Sequence, residues 1–244
     1  MILTVCNQKG GTGKTTTAAA LAQASIYRGH KTLVVDLDPQ CNLTYIMGGN
    51  PLDIGAFELL TGKSEFIQKT ANGDIIAGSL NLAAADTLLA GEKRIYALQN
   101  GLAPLKKTYD VIVIDTAPTL GTLLINALTA ADKVIIPLHA DILSLQGLFQ
   151  LSQTINKVKT DYNPALRFGG IVYTQHSGRT LVSREITKTI EARAAELHIP
   201  VLKTAVRDGV AVKEAQMMRK SLFEYAPKSK PAADYLNLIK ELGL

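Results

Sequence analysis

Between Asn7 and Thr17 the chain reads NQKGGTGKTTT, a run crowded with glycines, threonines and two lysines. Gly13-Lys14-Thr15 fits the end of the pattern G-x-x-x-x-G-K-[ST]. In such a run the glycines let backbone N–H groups close around a polyphosphate, and a helix that opens there points its partial positive end at the same anion. Lys14 would then contact the β- and γ-phosphates, Thr15 would ligate Mg²⁺, and Gly10, Gly11, Thr12, Gly13 and Thr16 would complete the cradle. The pattern's first glycine should fall at position 8, where this chain has Gln8 and then Lys9. The extra lysine has three readings: a solvated loop residue, added charge on its own nucleotide, or a reach outward to a second nucleotide. The last requires two nucleotides face to face, hence a dimer.

Such a loop needs a strand before it and a helix after it. Four short runs rich in β-branched residues stand out: ILTVC (2–6), TLVVD (32–36), VIVID (111–115) and KVIIP (133–137). They lack period-two alternation, as expected of strands buried on both faces of a parallel sheet. DIIAG (74–78), GGIVY (169–173) and PVLKT (200–204) are weaker candidates. Helical patterns lie between them at 15–28, 89–105, 121–131, 145–158, 181–197, 210–218 and 232–242. Strand and helix alternate throughout, which predicts an α/β fold: a doubly wound, mostly parallel sheet flanked by helices, in a single domain over 1–244. Ligands of such sheets bind beyond the carboxyl ends of the strands, after Cys6, Val35, Ile114 and Ile136.

The composition agrees with a globular chain: of 244 residues, 47% are hydrophobic and 19% charged, with no low-complexity tract. The apolar start meets Asn7 too soon for a secretory leader, and no run approaches the roughly 18 residues of a membrane span, so a cytoplasmic location is expected. Cys6 and Cys41 have no CxxC spacing and the histidines are scattered singly, which argues against a metal or cluster site built from them. The net charge of +5 is unevenly spread. From Arg167 to Lys230 twelve basic residues face six acidic ones, so this segment carries +6 and the remainder about −1. Such a concentrated excess points to a polyanion-facing side.

NQKGGTGKTTT resembles the deviant Walker A motif of the ParA/Soj-type partition ATPases, a branch of the P-loop ATPases that also includes MinD and the nitrogenase iron protein. VVDLDPQCN (34–42) and VIVIDTAPTLG (111–121) are similar to that family's two following motifs, and the likeness continues through 126–148 and 212–235. The resemblance implies ATP and Mg²⁺ as ligands and an ATP-dependent homodimer in which Lys9 crosses to the partner's phosphates. It also implies that Asp38 positions the attacking water, that Asp36 lies nearer the metal shell and that Asp115 faces Mg²⁺ mostly through water. It further implies non-specific DNA binding, a nucleoid-associated protein, release on hydrolysis and a separate centromere-binding ParB-like partner. Orienting water with an ordinary carboxylate predicts slow intrinsic turnover.

The chain departs from the pattern in one segment. Where many relatives read IPRNVRLSEA, it has VRDGVAVKEA (206–215), so Arg207 replaces a proline of the adenine-packing segment and Ala211 a basic residue. Arg207 stays with the nucleotide-binding set, and Arg184, Lys213 and Arg219 are the candidate DNA contacts. With the phosphate loop beginning at residue 8, no amino-terminal DNA-reading domain is expected. Three other functions compete. A MinD-like membrane switch would need an amphipathic tail richer in Lys than YLNLIKELGL, an electron carrier would need exposed cysteines, and a metabolic ATP-dependent enzyme would need no Lys9.

Overall fold

The β-branched runs form the middle of one seven-stranded sheet. Its strands are β1 (Ile2–Val5), β2 (Thr32–Leu37), β3 (Gln68–Thr70), β4 (Gly73–Ile76), β5 (Val111–Thr116), β6 (Lys133–Leu138) and β7 (Arg167–Tyr173), in spatial order β3-β4-β2-β5-β1-β6-β7. Every pairing is parallel except that of the edge strand β3 with β4. The computed structural model describes residues 1–89, 92–141, 143–176 and 181–244, without the side chains of 86, 88, 92, 93, 143 and 181–184.

The helices are α1 (Lys14–Tyr27), α2 (Asn42–Met47), α3 (Ala56–Leu60), α4 (Ala85–Leu88), α5 (Ala97–Leu102), α6 (Thr122–Ala130), α7 (Leu143–Asp161), α8 (Leu181–Glu196), α9 (Val210–Met217), α10 (Leu222–Tyr225) and α11 (Lys230–Glu241). They cover both faces of the sheet. Leu3, Val5, Val111 and Val113 point into one core with α1 and α11, while Ile112, Ile114, Leu33 and Val35 point into another with α3, α5 and α6. A third cluster joins β6 and β7 to α7 and α8. Successive strand residues thus alternate between two buried faces, which is why the sequence shows unbroken apolar runs. The alanines of α1 let it lie close to the sheet, with α11 packed over it. The apolar face of α11, Tyr235, Leu238 and Ile239, is spent on that core.

Two expected elements differ. PVLKT (200–204) forms no strand; it meets β7 through the isolated bridge Ile171–Val201, with Ile171 N–H donating to Pro200 O and Leu202 N–H to Ile171 O. Pro200 has no N–H to extend a ladder, and the contact stops after one residue. The helix expected over 89–105 is divided: a 3₁₀ turn (Glu92–Tyr96), α5, and a second 3₁₀ turn that opens at Pro104. Residues 90 and 91 of that expected helix lie outside the described residues. The edge strand β3 and the short helices α2, α3, α4 and α10 have no counterpart among the expected elements.

Candidate functional site

Beyond the carboxyl ends of β1, β2, β5 and β6 four loops converge. The first, 6–13, runs from β1 into α1. Asn7 braces its start: Nδ2 donates to Pro137 O at 2.7 Å, and Oδ1 accepts from Lys9 N–H at 3.1 Å. Gly11 and Gly13 have φ of 75° and 79°, the left-handed region where a side chain is strained. Gly13 caps α1 without a side chain, so the first-turn N–H groups remain available for an anion. Thr174, just past β7, donates its hydroxyl to Thr12 O at 2.9 Å and fixes the back of the loop.

Lys14 is 7% exposed, and its ammonium donates to Lys9 O at 2.9 Å across the mouth of the loop. Burial pulls its pKa below the ordinary lysine value, and the Asp115 and Asp38 carboxylates pull it partly back. The side chain is therefore a desolvated cation held where a phosphate would sit.

The register of β2 on β5 sets Asp36 beside Asp115. Both are fully buried, but their surroundings differ. Neither oxygen of Asp115 has a hydrogen-bond donor of good geometry. Burial and then the nearby Asp36 push its carboxyl well above the usual range, while the Thr15 hydroxyl and the Lys14 charge oppose the shift. An orphaned buried carboxylate beside a threonine hydroxyl, at the start of an anion-binding helix, fits a hydrated divalent cation shared with phosphate oxygens. Thr15 and Asp115 are the residues that would hold Mg²⁺.

Asp36, expected nearer the metal shell, has its oxygens engaged by the loop that follows it and by Thr44 of α2. Oδ2 accepts from Thr44 N–H at 2.8 Å and from the Thr44 hydroxyl at 2.7 Å, and Oδ1 accepts from Asp38 N–H at 3.0 Å. Burial raises its pKa to about 6 against those donors. Thr44 Oγ1 in turn accepts from Gly78 N–H at 2.8 Å, and a Cβ on Gly78 would stand only 3.0 Å from the Asp36 carboxyl carbon. This network pins the 36–42 loop and with it Asp38, whose Oδ1 accepts from Gln40 N–H at 2.9 Å. Thr44→Val, nearly the same shape without the hydroxyl, leaves the Gly78 amide unpaired. It is expected to cost about 1–3 kcal/mol of stability in urea unfolding, and an unchanged midpoint would remove this network from the account.

Lys9 stands at the rim. Its ammonium donates to Asp141 Oδ2 at 2.6 Å, with both side chains about one-third exposed. Asp141 Oδ1 accepts from Ser144 N–H and Oγ at the start of α7. Burial would raise the Asp141 pKa, but the Lys9 ammonium and the Ser144 donors bring it below the usual carboxylate value.

Next to the phosphate loop lies a cavity of about 140 Å³ whose lining includes Gly13 and Thr16 of the loop and Val206, Arg207 and Asp208. Thr16 Oγ1 accepts from Gln216 Nε2 of α9 at 3.1 Å. Lys213 also lines this cavity and is exposed. Arg219 lies elsewhere, its guanidinium over the Tyr45 ring at 4.0 Å and its carbonyl accepting from Asn72 Nδ2. The Arg184 side chain lies outside the described residues. Sequence reasoning missed Thr44, Gly78, Asp141, Thr174 and Asp234, whose partners here are distant in the chain; only the Asp-Leu-Asp run hinted at a loop needing an anchor.

A phosphate cradle at the first strand of a doubly wound parallel sheet, with acidic residues ending two neighbouring strands, defines a P-loop nucleotide hydrolase. A family model described as an AAA domain matches residues 1–168. The sporulation initiation inhibitor protein Soj of Bacillus subtilis is 34% identical over 99% of this chain and 98% of its own. The chromosome-partitioning ATPase Soj of Treponema pallidum is 35% identical, over 98% and 96%. Among solved structures, the cobyrinic acid a,c-diamide synthase of Mycobacterium smegmatis with ADP and magnesium superposes with a TM-score of 0.85 at 34% identity, covering 98% of this chain and 92% of the other. The chain belongs to the ParA/Soj family of P-loop ATPases. It is an ATP hydrolase of the partition and positioning class, and ATP with Mg²⁺ are its ligands. No helix among the described residues is long and apolar enough to cross a membrane.

Proposed function

We propose that the chain is a DNA-partition ATPase that dimerises around ATP, binds DNA non-specifically as that dimer, and leaves it after hydrolysis. The observation that carries this reading is Lys9: a second lysine in the phosphate loop whose part-exposed ammonium is tied to a part-exposed carboxylate, while the Lys14 ammonium is already engaged within the loop by Lys9 O. Phosphoryl transfer to water rests on positioning and charge neutralisation. Lys14 and the loop amides hold the β- and γ-phosphates, Lys9 of a second copy adds its charge to the γ-phosphate, and Asp38 orients the water. Mg²⁺, when bound by Thr15 and water on Asp115, supplies further neutralisation of the phosphate oxygens. Turnover is slow without help, because a carboxylate is a weak base toward water, and a ParB-like centromere-binding partner is the stimulating protein.

The polyanion face draws on the +6 segment, with Lys213, Arg219 and Arg184 as contacts. Anisotropy on an unrelated duplex, with Mg-ATP, Mg-ADP and no nucleotide at two salt concentrations, tests the proposal. Binding is expected only with ATP, falling with salt at a slope of about 0.9 log unit per phosphate contact. Lys9→Ala is expected to lower ATP-dependent DNA affinity at least tenfold while ATP still binds. Equal binding in all three nucleotide states would contradict the dimer-gated reading. Hydrolysis without DNA binding in any state would move the surface to a membrane or a protein cargo.

A further inference from the structure

The Lys9 ammonium at the rim of the phosphate loop is already taken in the single chain. Its backbone is fixed on both sides, the N–H donating to Asn7 Oδ1 at 3.1 Å and the carbonyl accepting from the Lys14 ammonium at 2.9 Å. Reaching a second copy is therefore a movement of the side chain alone. Among the described residues the partner of that side chain is Asp141, with Nζ 2.6 Å from Oδ2.

The acid is itself anchored. Asp141 follows the end of β6 by three residues, and its N–H donates to His139 O at 2.8 Å. Its other oxygen, Oδ1, accepts from Ser144 N–H at 2.9 Å and from Ser144 Oγ at 3.1 Å, in the first turn of α7. A carboxylate held by one oxygen presents the other to Lys9 in a fixed place. Close to this pair in the chain, Gln8 Oε1 and His139 Nε2 are buried with no hydrogen-bond partner among the described residues. Buried polar atoms are seldom left so, which marks the rim of a single chain as an arrangement that does not satisfy its own groups.

We infer that Asp141 is an autoinhibitory latch: it holds the Lys9 ammonium against its own rim, and a second copy's nucleotide receives that ammonium only after the pair opens. Asp141 is a positioning residue that acts through Lys9. The exchange swaps a carboxylate for a more highly charged phosphate terminus, so it favours a nucleoside triphosphate over a diphosphate. The inference rests on the reading that Lys9 serves a second copy's nucleotide. Both side chains are about one-third exposed, so the pair is screened and its bias is modest. Each copy must open its own latch, however, and the two open fractions multiply. A latch closed about three times in four weakens the dimer about sixteenfold.

Sedimentation velocity over a dilution series in Mg-AMPPNP reads the dimer dissociation constant. Asp141→Asn keeps an acceptor for Ser144 and removes the charge; it is expected to tighten the dimer about sixteenfold, and a mixed dimer with one parental chain about fourfold. Ser144→Ala, which frees the acid without touching either charge, should tighten it by a smaller factor. Lys9→Ala with Asp141→Asn should match Lys9→Ala alone, because the latch acts only through Lys9. Acetic anhydride labelling of the nucleotide-free chain, read by mass spectrometry, gives a second measure: Lys9 should react several-fold faster in Asp141→Asn, while the exposed Lys213 keeps its rate. Unchanged or weaker pairing of Asp141→Asn beside a parent that pairs would overturn the latch and leave the two-nucleotide reading standing. A gain that survives in the Lys9→Ala background, or unchanged Lys9 labelling, would overturn it as well. If neither the parent nor Asp141→Asn pairs at any concentration, the ATP-dependent dimer falls and the latch falls with it.

Discussion

Lys14→Ala is expected to lower ATP and ADP affinity at least a hundredfold while leaving the free protein at least as stable as the parent. The two halves of that result have one cause. The Lys14 ammonium is nearly buried, with a carbonyl as its hydrogen-bond acceptor, and burial already pulls its pKa down. A desolvated cation of this kind costs free energy in the empty site, and the cost is recovered only when phosphate arrives. Charge-assisted hydrogen bonds contribute about 1.5–3 kcal/mol each, so losing those to two phosphates reaches the hundredfold level. Calorimetry with ADP and a thermal melt of the free protein check the two halves together. Retained ADP affinity would contradict the loop assignment, and a large drop in melting temperature would show that Lys14 serves the fold instead.

How much of this site was legible in the sequence follows the range of the interactions. The glycines at 11 and 13 encode left-handed backbone that one residue type satisfies, and Lys14 follows them at fixed spacing, so the cradle is written locally. The core strands are equally local: runs without alternation signal burial on both faces, and the parallel sheet obeys. What the sequence hides are partners brought together by the fold. Asp234 reads as one acidic residue in a carboxyl-terminal helix, yet it fixes Arg207, 27 positions away. Asp141 reads as a loop residue, yet it holds Lys9 across 132 positions. PVLKT misleads in the opposite direction: its composition favours a strand, and the single bridge to β7 shows that Pro200 and local geometry decide otherwise. Asp36 lies between these cases. Its place at a strand end was legible, but its neighbour Asp115 and the donors that engage its oxygens, Thr44 of α2 and the Asp38 amide, are set by register and by a loop whose shape the sequence only outlines.

Asp38→Ala should separate binding from chemistry. The Asp38 amide is tied to Asp36 and its Oδ1 to Gln40, so the loop keeps two other anchors, Thr44 on Asp36 and Gly78 on Thr44, when the carboxylate is removed. ATP affinity is therefore expected to stay within threefold, because the phosphate cradle draws on Lys14 and the loop amides. Hydrolysis is expected to fall at least a hundredfold, the lower range for a positioned acid–base group. A variant stalled in this way should also accumulate the ATP-bound dimer, and its DNA complex should outlast that of the parent, since the proposed release step follows hydrolysis. Single-turnover hydrolysis and dissociation from an immobilised duplex read these two effects independently. If turnover persists, Asp38 leaves the mechanism and the water must be oriented by another group. If turnover stops but DNA release keeps the parental rate, the ATPase chemistry stands and hydrolysis is uncoupled from the DNA cycle.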